Sequence, residues 1–165
     1  MQTQYGAICW RRIGARVEVL LITSRDTGRW VIPKGWPIEG LSPEATAARE
    51  AFEEAGVEGL VADHCIGVFS YGKGLGKPEG PRVTVPCLVT VFPLRVKELV
   101  DKFPEIRERR RKWFTPKKAA RRVAEPELQA MLDDFEAHIP PPKAPASLKT
   151  SAPHKGRGPH KGSTA

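Results

Sequence analysis

The chain has 165 residues, 40% of them hydrophobic, and carries a formal net charge of +8 at neutral pH. That length supports one domain with a real core. With no run of about 18 apolar residues and no signal-peptide pattern at Met1-Gln2-Thr3-Gln4, a soluble cytoplasmic protein without a membrane partner is expected.

In chain order, Tyr5 to Trp10 and Val17 to Thr23 read as two apolar strands joined as a hairpin through Gly14. The near-continuous apolar character of VEVLLIT fits a strand buried on both faces. Trp30 to Ile32 is a brief strand stopped by Pro33, and Pro33 to Pro37 is a rigid turn. Ser42 is a good N-cap, Pro43 suits the first helical position, and Gly56 is placed to end the helix between them. The stretch Gly59 to Cys65 is mixed, and Ile66 to Tyr71 reads as a strand. Gly72 to Pro81 is a loop with four glycines, two prolines and two lysines, suited to closing over a ligand or simply joining two strands. Arg82 to Leu94 is the clearest strand, with Pro86 calling for an edge or a bulge. Lys97 to Asp101 reads as a short helical or turn segment. A basic run from Arg107 to Lys112 precedes Trp113-Phe114, a short strand. Thr115-Pro116 opens one helix, and Pro126 opens another to about His138 with Leu128, Met131, Leu132 and Phe135 on one face.

Residues 140–165 hold six prolines and almost no large apolar side chain, so they read as a disordered basic tail behind a domain spanning 1–139. Five basic residues and no acid fall in that tail, which leaves +3 for residues 1–139. The folded part is therefore only mildly basic, and nucleic acid is not the expected partner. Cys9, Cys65 and Cys87 lack metal-site spacing and read as free thiols.

The helix from Pro43 carries the chemistry. On a wheel of about 100° per residue, Glu50, Glu53 and Glu54 cluster on one side. Ala45, Ala48, Phe52 and Ala55 form a stripe on the other. Like charges three and four residues apart repel. A hard divalent cation such as Mg2+ turns that repulsion into ligation, because it takes oxygen ligands and few of them. The plain alternative is an acidic surface helix.

The spacing resolves the choice. Arg49-Glu50-Ala51-Phe52-Glu53-Glu54-Ala55-Gly56-Val57 reads R-E-U-x-E-E-x-G-U, where U is apolar, and Gly35 lies fourteen residues before Arg49. This resembles the Nudix box, G-x5-E-x7-R-E-U-x-E-E-x-G-U, of the Nudix hydrolases. The first glutamate of that pattern falls on Leu41, with Glu39 and Glu44 nearby. The resemblance implies an α/β fold, an α/β/α sandwich around a mixed central sheet. It also implies Mg2+- or Mn2+-dependent hydrolysis of diphosphate linkages in a small polyphosphate substrate.

Following the box, Glu50 and Glu54 are the expected metal ligands, with the Gly35 carbonyl a third. Glu53 is the expected base that takes a proton from water, or else a ligand to a second metal, with Glu79 in reserve as base. Arg49 is expected to hold the carboxylates by an ion pair. Glu18 to Ser24, Gly28 to Pro33 and Arg111 to Phe114 look like the diphosphoinositol polyphosphate phosphohydrolase branch, which also cleaves diadenosine polyphosphates. Lys34 and Trp36 replace glycines that flank Gly35 in that branch. Arg25, Arg29, Lys34, Lys73, Lys77, Arg82 and the Arg107 to Lys112 run are candidate phosphate contacts. Competing functions are a house-cleaning hydrolase of nucleotides or nucleotide sugars and a weakly catalytic module that binds nucleic acid.

Overall fold

The computed structural model describes residues 1–75, 80 and 83–142. Strands β1 (Gln2–Ile13) and β2 (Arg16–Thr23) form the expected hairpin, with Cys9 opposite Leu20. Gly14 turns the chain at φ +62°, a conformation costly for any residue with a Cβ. Two short strands follow, β3 (Trp30–Val31) beside β2 and β4 (Lys34–Gly35) beside β1. Helix α1 (Pro43–Ala55) comes next, then β5 (Val57–Val61), β6 (Gly67–Leu75) and the long β7 (Val83–Leu99). β8 (Arg111–Phe114), α2 (Pro116–Arg122) and α3 (Pro126–Asp133) complete the order, with a 3-10 turn at Phe135–His138.

The sheet is mixed. β7 runs parallel to β1 and antiparallel to β5 and β6, while β2 is antiparallel to β1, β3 and β8. Side chains alternate along each central strand, so each strand feeds two cores. Ile8, Trp10, Val19, Leu21, Val89 and Val91 face α2 and α3. Ala7, Cys9, Leu20, Ile22, Phe92 and Leu94 face α1. Burial on both faces is the physical reason that VEVLLIT carries almost no alternation. The result is the α/β/α sandwich that the box implies.

Several expectations need correction. The mixed stretch after Gly56 contains β5, because pairing with the edge of β7 supplies hydrogen bonds that pattern alone did not signal. Lys97 to Leu99 continue β7 instead of turning, for the same reason. β6 extends through Leu75 into the expected loop, of which residues 76–79 and 81–82 lie outside the described set. The last helix ends at Asp133 and tightens into the 3-10 turn. Pro86 fits its edge requirement: it lies opposite Gly72 of β6, one residue before β1 begins pairing at Cys87. The tail expected from residue 140 lies outside the described residues from 143 onward.

Ser42 caps α1, accepting from the Ala45 amide, and Gly56 closes it at φ +67°. The helix wheel needs revision. The buried face is Thr46, Ala47, Ala51, Glu54 and Ala55, while Phe52 and Ala48 are only partly buried. Small side chains let the helix lie close to the sheet, so contact is made on the alanine side. The carboxylates flank that contact face instead of standing opposite it.

Candidate active site

α1 sets Glu50 and Glu54 one turn apart, both turned toward β4. Gly35 is a glycine because of what stands on it. A Cβ there would lie 2.2 Å from Glu50 Cδ and within 2.6 Å of both carboxylate oxygens. Glu54 is 7% exposed. Its Oε1 accepts from the Lys34 amide at 3.4 Å, and its Oε2 lies 3.7 Å from the Arg109 guanidinium. Arg109 in turn donates to Glu105 at 2.7 Å and to the Thr23 carbonyl at 3.2 Å.

Burial pushes the Glu54 carboxyl up to about 8, with Glu50 and Glu105 adding to the rise and Arg109 and Lys34 opposing it. Glu50 is also raised, first by burial and then by the nearby acids, against a hydrogen bond to Glu54. Burial brings the Lys34 ammonium down to about 8. Two crowded carboxylates with raised pKa values mark a place short of positive charge.

That shortage is the test of fit for a divalent ion, and the donors pass it. They are hard carboxylate oxygens, the donors that Mg2+ or Mn2+ accepts. Among the described residues no three His, Cys, Asp or Glu side chains are gathered closely enough to hold a metal alone. Mg2+ does not require such a cage, since it keeps waters and shares its ligands with substrate phosphates.

The remaining sequence candidates are placed as follows. Glu53 is half-buried, and its carbonyl accepts from the Glu105 amide at 3.0 Å. Arg49 is exposed, and the basic partner at Glu54 is Arg109. Leu41 sits in the turn before α1, its amide donating to the Ile38 carbonyl. Arg25, Arg29, Lys34 and Lys73 converge with Tyr71 and Arg109 on one polar cavity of about 350 Å3. Arg82, Lys77 and Glu79 fall outside the described residues. Glu50 and Glu54 do not themselves line the polar cavity, but Lys34 and Arg109 do, and both reach Glu54; a roomier hollow of about 530 Å3 between Ile13 and Lys117 has no such link.

Sequence reasoning takes Arg109 as one of a basic run of phosphate contacts, whereas it pairs with Glu54 and Glu105, and it assigns no role to Glu105 or Glu125. Arg25 pairs with Glu108 at 2.9 Å and Arg109 with Glu105, while Arg29 meets Glu125 at 2.7 Å through Nη2 and keeps a buried Nη1 with no partner among the described residues. The interleaved acids and bases from Glu105 to Arg111 were the available signal. Acids set among bases offer near partners, as Glu105 does for Arg109, and distant ones, as Glu108 does for Arg25.

Comparison with known proteins defines the class. The NUDIX domain family model matches residues 2–135, and the chain belongs to the Nudix family. Its similarity to "Nudix hydrolase 12, mitochondrial" of Arabidopsis thaliana is 33% identity over 73% of this chain and 59% of that protein. "Diphosphoinositol polyphosphate phosphohydrolase 3-alpha" of Mus musculus is 34% identical over 59% of this chain and 54% of its own length. The chain thus spans a little over half the length of these relatives. The crystal structure of the C. elegans Ap4A hydrolase shares the fold at TM-score 0.57 and 19% identity, covering 84% of this chain and 98% of that one. No helix among the described residues is long and apolar enough to cross a membrane.

Proposed function

We propose that this chain is a Mg2+- or Mn2+-dependent hydrolase of phosphoanhydride bonds in diphosphoinositol polyphosphates or dinucleoside polyphosphates. The observation that supports it most is the Glu50 carboxylate standing on Gly35, with Glu54 one turn on and a cavity of cationic side chains alongside.

Hydrolysis of an anhydride is mostly positioning and charge neutralisation. In this reading Glu50, Glu54 and the Gly35 carbonyl hold the divalent ion. The ion supplies charge neutralisation at the phosphate oxygens and a more acidic water. Arg25, Arg29, Lys34 and Lys73 fix the phosphate chain, as does Arg82 beyond the described residues. Glu53 takes the proton from the attacking water. Arg109 holds Glu54 in place, the role expected at first of Arg49.

The test is a panel of diadenosine polyphosphates, diphosphoinositol polyphosphates, nucleotide sugars and nucleoside triphosphates, assayed with Mg2+ and with a chelator. Metal-dependent cleavage of the first two groups is expected. No turnover of any anhydride would overturn the reading.

A further inference from the structure

Positive charge is unevenly paired in this fold. Around the polar cavity, Arg25 and Arg109 sit against Glu108 and Glu105. Helix α2 is the opposite case. Between Pro116 and Arg122 it holds Lys117, Lys118, Arg121 and Arg122, all exposed, and no acid. Of these four and Lys112, only Lys117 reaches a carboxylate among the described residues, Asp133 at 4.0 Å. The arrangement works against the helix. Lys117 and Arg121, like Lys118 and Arg122, are like charges one turn apart, which repel. The two lysines also stand at the positive end of the helix, where acids are favoured. Two local rules broken with no compensating contact among the described residues mark a surface kept positive for something outside the fold.

Lys118 and Arg122 meet Lys112 of β8 and Arg16 of β2 around a hollow of about 230 Å3. The acid in its lining, Glu18, is already held by Arg11 at 2.7 Å and Arg16 at 3.1 Å. This hollow shares Arg16 and Thr115 with the roomier one of about 530 Å3. There the lining turns aliphatic, with Ile13, Ala15, Val17 and Pro116, while Arg16, Lys117 and Glu136 leave it a surplus of positive charge. Ile13 is 46% exposed. Together the two make a groove along the β1–β2 turn and the β8–α2 junction, cationic at one end and aliphatic at the other. The groove lies at the Arg16 end of β2, about 23 Å of strand from Thr23, whose carbonyl meets Arg109 of the polar cavity. It has no lining residue in common with that cavity, so its occupant need not be the substrate.

We propose that this groove docks an acidic peptide segment of a partner protein, with carboxylates against Lys112, Lys118 and Arg122 and an aliphatic side chain against Ile13. Charge complementarity selects the sign of the occupant. Residues 140–165 have the wrong sign to fill it, with five bases and no acid. The lining favours a peptide over a nucleic-acid strand. Single strands are held by bases stacked on open aromatic faces as well as by charge. Here Trp113 packs on the core and is covered by Arg11 at 3.9 Å, and Phe114 is buried with Lys112 and Arg122 over its ring. The surface left open is aliphatic, which suits a leucine-sized side chain on an extended peptide.

The experiment is fluorescence anisotropy of the full chain at about 0.15 M salt with three labelled probes. They are an octapeptide of six glutamates and two leucines, octaglutamate, and octauridylate. The leucine-bearing peptide is expected to bind most tightly. Lys118→Glu with Arg122→Glu should weaken it by about tenfold or more. Ile13→Ser should lower it to the affinity of octaglutamate. Both variants should retain the wild-type circular dichroism and the wild-type behaviour on the anhydride panel, since neither alters α1 or the polar cavity. No saturable binding of the leucine-bearing peptide, undiminished binding in the charge-reversed variant, or equal affinity of wild type for octaglutamate overturns the proposal. Tighter binding of octauridylate overturns it in favour of nucleic acid.

Discussion

The two faces of the sheet are packed in different ways. Under α2 and α3 the core is built of large side chains, with Phe135, Leu128, Leu132 and Trp10 all buried. Under α1 the helix contributes Ala47, Ala51 and Ala55, meeting Ala7, Cys9 and Leu20. Large side chains bury more apolar area and supply more stability per residue. Small ones let backbones approach, and that approach carries Glu50 onto Gly35 and Glu54 to the Lys34 amide. One face supplies most of the apolar burial and the other sets the position of the carboxylates, so damage to each should register in a different measurement.

The sharpest cut is at the chemistry. Glu53→Gln should lower kcat by about 10²- to 10⁴-fold with the melting temperature retained. Near-normal turnover would move the base to another residue, and Glu79 would be the next to test. On the opposite face, Phe135→Ala should cost about 3–5 kcal/mol of stability, read from denaturant midpoints. Its turnover per folded molecule at low temperature should stay close to wild type. Loss of turnover in proportion to stability would show that the two faces are not separable.

Gly35→Ala addresses the α1 face directly. The atoms in the way are the end of a flexible side chain, so the Glu50 carboxylate should swing aside while the fold holds. The Mg2+ concentration for half-maximal activity should rise by about tenfold or more. An unchanged titration would remove Glu50 and Gly35 from the metal site.

The last effect is electrostatic. Glu54 is raised to about 8 in the folded, metal-free protein. The folded state therefore keeps a proton that the unfolded chain has released, and stability should fall as pH rises from the ordinary carboxylate range through about 8. Lys34, lowered to about 8, acts with the opposite sign, so stability recovers as pH rises from there toward the ordinary lysine range. A thermal-melt series with a chelator should show a minimum near pH 8. A flat profile would show that the raised Glu54 does not couple to folding.

Local chemistry fixed much of this protein in advance. Ser42 and Gly56 bound α1 through side-chain capping and a left-handed backbone, effects that act within one turn. Thr115-Pro116 set the start of α2 in the same local way, and the apolar runs of β1 and β2 announced a doubly covered sheet. The box spacing chose the carboxylates. Periodicity failed where burial was decided by neighbours distant in sequence. The wheel put Phe52 on the packing side, because hydrophobicity ranks phenylalanine above alanine. The sheet took the alanines instead, because close approach needs small side chains. β5 and the end of β7 became strands because each found the other.

Sequence therefore determined which residues have the chemistry to act: an acidic helix turn, a glycine before it and a supply of cations. Tertiary structure alone decided which of them meet. Glu54 finds Arg109, Arg29 finds Glu125, and Trp36 is left facing outward beside Lys73. The physical reason is that capping and backbone preferences act over a few residues. Ion pairing, close packing and cavities depend on residues 20 to 100 positions apart in sequence being brought together by one sheet.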